Sequence, residues 1–150
     1  MKLFKNFLLI LVIFIQTGNV LSKENIFDVN NIEIIKKTNI SNQETANLAI
    51  KKGYDLIYHA YLIDGDFRGE ADFLIKRKNP SKLGDFSYEV YDTKISRKPR
   101  PRHIYQITSY SYMLSKIQGT LPERMYLIDG SDILHKYKTK EFIDFYLFTK

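Results

Sequence analysis

Asp92 and Lys94 stand two positions apart near the end of the run YEVYDTK, residues 88–94. On an extended chain, residues i and i+2 point the same way. Val90, Asp92 and Lys94 are therefore predicted to share one face, and Glu89, Tyr91, Thr93 and Ile95 the other. Both faces carry bulky apolar groups, so the run belongs inside a sheet. A carboxylate and an ammonium there are costly unless paired, metal-bound or open to water. A second embedded carboxylate, Asp72, lies in GEADFLI, residues 69–75. Strand alternation puts Ala71, Phe73 and Ile75 on one face and Glu70, Asp72 and Leu74 on the other. If the two strands are neighbours, Asp72 and Asp92 converge. Two hard carboxylates suit Mg²⁺ or Mn²⁺, with water and phosphate oxygens filling the remaining positions. Lys94 beside them could orient an attacking water and offset phosphate charge. The plainer alternative is an ion pair within or between strands, because Asp-x-Lys alone is common.

A third group lies on a helix pattern. Gln106 and Tyr110 are four apart and share one helix face. An amide and a phenol so placed can hydrogen-bond phosphate, base edges or neighbouring site residues. Between strand and helix runs SRKPRPR, residues 96–102, with Arg97, Lys98, Arg100 and Arg102. Cations at a helix start attract phosphate; taken alone, the stretch is a solvated, proline-broken loop.

The elements that must position these groups follow from the pattern. Ser41-Asn42-Gln43-Glu44 reads as a capping box and Gly53 as a helix stop. Residues 55–63 and 67–77 read as strands joined by the turn Asp64-Gly65-Asp66. Residues 86–95 form the third strand, 103–118 a helix stopped by Gly119, and 124–129 a fourth strand before the turn Asp129-Gly130-Ser131. Residues 139–148 form a closing helix. The order gives an α/β fold with one mixed sheet of about four strands flanked by helices. His59, on the first strand, reads as a hydrogen-bonded sheet residue.

The 150 residues suit one domain. The absence of cysteine excludes disulfides, zinc–thiolate sites, iron–sulfur clusters and cysteine nucleophiles. A net charge of +6 is compatible with a phosphate-bearing partner. Residues 1–22 place Lys2 and Lys5 before an apolar run from Phe7 to Ile15, a signal- or anchor-like pattern whose alternative is a buried helix. Residues 23–40 read as a polar connector containing one short strand, and 41–150 as the folded domain.

Gly69-x-x-Asp72, Asp92-x-Lys94 and Gln106-x-x-x-Tyr110, in that order, resemble the RecB-like branch of the PD-(D/E)xK nuclease superfamily. The similarity runs from about Thr45 to the C-terminus through IYHAYLIDGDFRGEADFLIKR, SKLGDFSYEVYDTKISRKPRPRHIYQITSYSYML and IQGTLPERMYLIDG. The resemblance implies a restriction-endonuclease-like core and Mg²⁺- or Mn²⁺-dependent hydrolysis of DNA. It makes Asp72 and Asp92 metal ligands, Lys94 the catalytic lysine, and Gln106 and Tyr110 supports that contact nucleic acid, with Arg97, Lys98, Arg100 and Arg102 along the backbone. An acidic residue that the family takes from an earlier helix has no match here; Glu44 reads better as part of the capping box. The domain is thus expected to be shortened on its N-terminal side. Relatives also occur joined to helicase or exonuclease parts, so such a partner is implied too. The cytoplasm is the expected compartment. The alternatives are a non-cutting nucleic-acid-binding module or fragment, and an exported or membrane-anchored protein, held through residues 1–22, that keeps only the fold.

Overall fold

The computed structural model describes residues 34–35 and 43–150. The expectations for residues 1–22 and most of 23–40, and Ser41 of the capping box, lie outside them. Among the described residues no helix is long and apolar enough to cross a membrane.

The chain runs β1 (Ile34–Ile35), α1 (Gln43–Lys52), β2 (Leu56–Asp64), β3 (Phe67–Arg77), β4 (Ser87–Thr93), α2 (Pro101–Gln118), β5 (Arg124–Ile128), β6 (Leu134–Lys138) and α3 (Lys140–Thr149). One mixed sheet carries all the strands in sequence order. β1 pairs with β2 in parallel, β2–β3 and β3–β4 are antiparallel, β4–β5 is parallel, and β5–β6 is antiparallel. The expected four strands are thus the centre of a six-stranded sheet. The two-residue β1 falls within residues 23–40, where one short strand was expected, and the polar edge strand β6 is the addition.

Local chemistry explains the boundaries. Gly65, at φ 60°, lets a two-residue turn join Asp64 to Phe67. Parallel β4 and β5 need a crossover, and α2 supplies it. Pro101 opens α2 two residues earlier than the pattern indicates, because proline tolerates the first helical position. Gly119, at φ 72°, closes it in the left-handed region, its N–H bonded to the Ser115 carbonyl. Ile107, Tyr110, Leu114 and Gln118 recur at helical spacing on its buried side.

That side of α2 packs on Leu74, Val90, Met125 and Leu127 of the sheet, and Ala49 and Ile50 of α1 join the same core. Gln118 ties the helix end to β4. Its Oε1 accepts the Tyr88 N–H at 2.8 Å, and its Nε2 donates to the Tyr88 carbonyl at 3.3 Å. α3 leans on α2, with the Tyr146 ring 5.2 Å from Tyr105 and 5.5 Å from Tyr112.

Strict alternation fails on β2 and β3. Ile57 and Leu74 face the core, and so do Ala60 and Ala71. Both pairs are directly opposite across the ladder, yet on each strand the step between them is three residues. The reversal falls at His59, which has φ 55° and is skipped by the pairing between Tyr58↔Phe73 and Ala60↔Ala71. The shared face expected for Ala71, Phe73 and Ile75 is therefore not observed. His59 is not an ordinary ladder residue either.

Candidate functional site

Asp72 sits where β3 changes face, one residue from the last β3–β4 pair, Phe73↔Tyr91. That register brings it level with Asp92, near the C-terminal end of β4. Asp72 Oδ2 accepts from the Thr93 N–H at 2.8 Å and from Thr93 Oγ1 at 2.5 Å. Asp92 is only 2% exposed and is paired with Lys94 Nζ. Burial, and then the negative charge of Asp72, push the Asp92 carboxyl up to about 6, against the opposing pull of Lys94. The convergence expected of Asp72, Asp92 and Lys94 is thus observed. One detail differs: β4 ends at Thr93, so Lys94 lies just beyond the strand and not within it.

α2 covers the carboxylates with Tyr110. Its phenol is pushed up by burial and by the charges of Asp92, Asp72 and Glu70, while a hydrogen bond from Gln106 opposes the shift. Gln106 Nε2 donates to Tyr110 Oη at 2.6 Å, so the amide is linked to the site through the phenol. Gly69 makes this approach possible. A Cβ there would overlap Tyr110 Cε1 and come within 3.1 Å of Cζ.

The basic loop leaves the site and enters α2. Arg97, Lys98, Arg100 and Arg102 are all exposed. His103 is buried in the first turn, and its Nδ1 accepts the Arg100 N–H at 3.3 Å. Burial, and then Lys94, Arg102 and Arg100, lower its pKa and favour the neutral ring. The first turn of α2 contains no acidic residue. Arg100 and Arg102 thus lie within electrostatic reach of the group that also senses Lys94.

Two residues near the carboxylates were not expected to take part. Glu70 acts on Tyr110 and contacts His59 Nδ1, and the His59 ring lies tilted against Tyr58 with centroids 3.9 Å apart. The signal for Glu70 was its spacing of two from Asp72; for His59 there was none, because strand periodicity does not anticipate a positive φ.

The donor set fits a hard divalent cation as a two-carboxylate site. Asp92 is a buried carboxyl whose ionised form is opposed by a neighbouring carboxylate, and a cation between them would relieve that repulsion. Among the described residues no cluster of three or more His, Asp or Glu side chains forms a fuller cage. Mg²⁺ commonly makes do with one or two carboxylates plus water and phosphate oxygens. The chain matches no protein-family model, no curated protein and no solved structure.

Proposed function

We propose that the chain is a metal-dependent nuclease with a restriction-endonuclease-like core that hydrolyses phosphodiester bonds in DNA. The observation that carries this reading is the meeting of Asp72, Asp92 and Lys94 at the end of β4, directly before an exposed basic loop. Asp72 and Asp92 are the ligands for Mg²⁺ or Mn²⁺, which would polarise the scissile phosphate and acidify water. Lys94, which pairs with Asp92 in the metal-free protein, would hold the attacking water and balance charge on the phosphate. Tyr110 closes the site from the helix side and Gln106 fixes its hydroxyl. Arg97, Lys98, Arg100 and Arg102 bind the phosphate backbone. A chain acting on DNA in this way works in the cytoplasm, alone or beside a helicase or second nuclease domain.

The decisive assay uses labelled single- and double-stranded DNA with Mg²⁺, Mn²⁺ or chelator. Wild type should cut only with metal, and Lys94→Ala or Asp92→Ala should lower the rate by ~10²-fold or more. Undiminished cutting by folded Lys94→Ala protein would refute the assignment. A second reading, a module that grips DNA without cutting, is favoured by the two-carboxylate ligand set. Metal-independent binding with no cleavage under any divalent ion would select it.

A further inference from the structure

Lys94 lies just past the end of β4. Its side chain is largely buried, but the next residue, Ile95, is 87% exposed and adds no packing of its own. The segment is held by the last residue of β5 and by the β5–β6 turn that follows it. The Lys94 N–H donates to the Ile128 carbonyl at 2.8 Å, and the Gly130 N–H donates to the Ser96 carbonyl at 2.9 Å. These bonds bracket Ile95. A Cβ at Gly130 would come within 2.7 Å of the Ile95 carbonyl carbon and closer still to its oxygen. Only glycine lets the two backbones meet so closely.

The turn is itself latched. Asp129 is 3% exposed. Its Oδ1 accepts the N–H groups of Ser131 and Ile133 at 2.8 and 3.2 Å, and its Oδ2 bonds His135 Nε2 at 2.7 Å. The Asp129 N–H in turn donates to the Ile133 carbonyl at 3.1 Å. One buried carboxylate therefore sets the shape of the loop that presents Gly130.

The geometry points to Gly130 and Asp129 as positioning residues: the turn they build sets where Lys94 delivers its ammonium to Asp92. The ion pair fixes only the tip of a flexible lysine chain; the backbone clamp fixes its base. The catalytic consequence rests on the nuclease reading above, while the clamp does not. Crowding Gly130 must push Ile95 away, and a shift of ~1 Å at a reacting group costs ~10²-fold in rate.

The test uses the full chain as wild type, Gly130→Ala and Asp129→Ala. Acetylation by a water-soluble N-hydroxysuccinimide ester is followed at each lysine by mass spectrometry, with Lys98 as internal reference. The expected result is faster labelling of Lys94 relative to Lys98 in folded Gly130→Ala. In the cleavage assay kcat should fall ~10²-fold while the KM for the oligonucleotide holds within about twofold. An unchanged labelling ratio overturns the clamp. A raised ratio with unchanged kcat overturns its role in positioning the reaction. If wild type does not cut DNA, the nuclease reading fails and the labelling ratio alone decides the clamp. Should Gly130→Ala not fold, Asp129→Ala unlatches the turn without crowding Ile95, and the same ratio decides.

Discussion

Asp92 is subject to opposed influences. Burial and Asp72 disfavour its ionised form, and Lys94 favours it; the first two prevail, and the carboxyl is pushed up to about 6 from an ordinary 3.8. The folded protein therefore holds a proton that the unfolded chain releases between those values. The stabilisation from that proton is complete below about pH 4 and lost as pH rises through about 6. Asp92→Asn removes the penalty for burying the charge while keeping one carbonyl acceptor. In metal-free urea titrations the variant should exceed wild type by ~1–3 kcal/mol at pH 7.5 and match it near pH 3.5. A variant less stable than wild type at pH 7.5 would mean that the pairing with Lys94 dominates. A buried carboxyl whose charge weakens the apo fold suits a cation site better than a purely structural ion pair.

At the scale of elements, the site depends on one close approach between β3 and α2. Gly69→Ala must displace the Tyr110 ring and disturb its hydrogen bond from Gln106. The expected cost is ~1–3 kcal/mol of stability. In a double-mutant cycle, that cost should largely vanish in a Tyr110→Ala background, because the clashing atoms are then gone. An equal cost in both backgrounds would locate the strain elsewhere. The elements themselves were largely legible: β3 matches the expected residues 67–77, and α2 ends where Gly119 requires. Two features were not. Leu134–Lys138 reads as a polar stretch because an edge strand is half solvated and protected by its lysines. The face reversal at His59 was hidden because alternation assumes that every residue has strand dihedrals. The convergence of Asp72, Asp92 and Lys94, with Tyr110 and its partner Gln106 beside them, was legible as well, from spacing. The backbone clamp at Gly130 was not, because it joins segments distant in sequence and depends on an atom that glycine lacks.

For the whole molecule, the question is whether the +6 net charge acts as a diffuse field or through particular cations. Arg100 stands at the N-cap position of α2 and Arg102 in its first turn, at the positive end of the helix dipole, with no acidic residue in that turn to offset them. That arrangement repels itself until an anion arrives, so it should bind phosphate more strongly than its charge alone implies. Lys51 and Lys52 sit instead in the last turn of α1, where the dipole already favours them. Arg100→Ser/Arg102→Ser and Lys51→Ser/Lys52→Ser remove equal charge from the two ends of this contrast. Affinity for a short DNA duplex, measured by anisotropy across a salt series, separates them. Each lost phosphate contact lowers the slope of log K against log salt by ~0.9. The arginine pair should lower it by about 2 and the lysine pair by about 0. Equal changes would mean that DNA responds to the overall charge of the molecule, and would refute the proposal that the loop after Lys94 guides the backbone into the site.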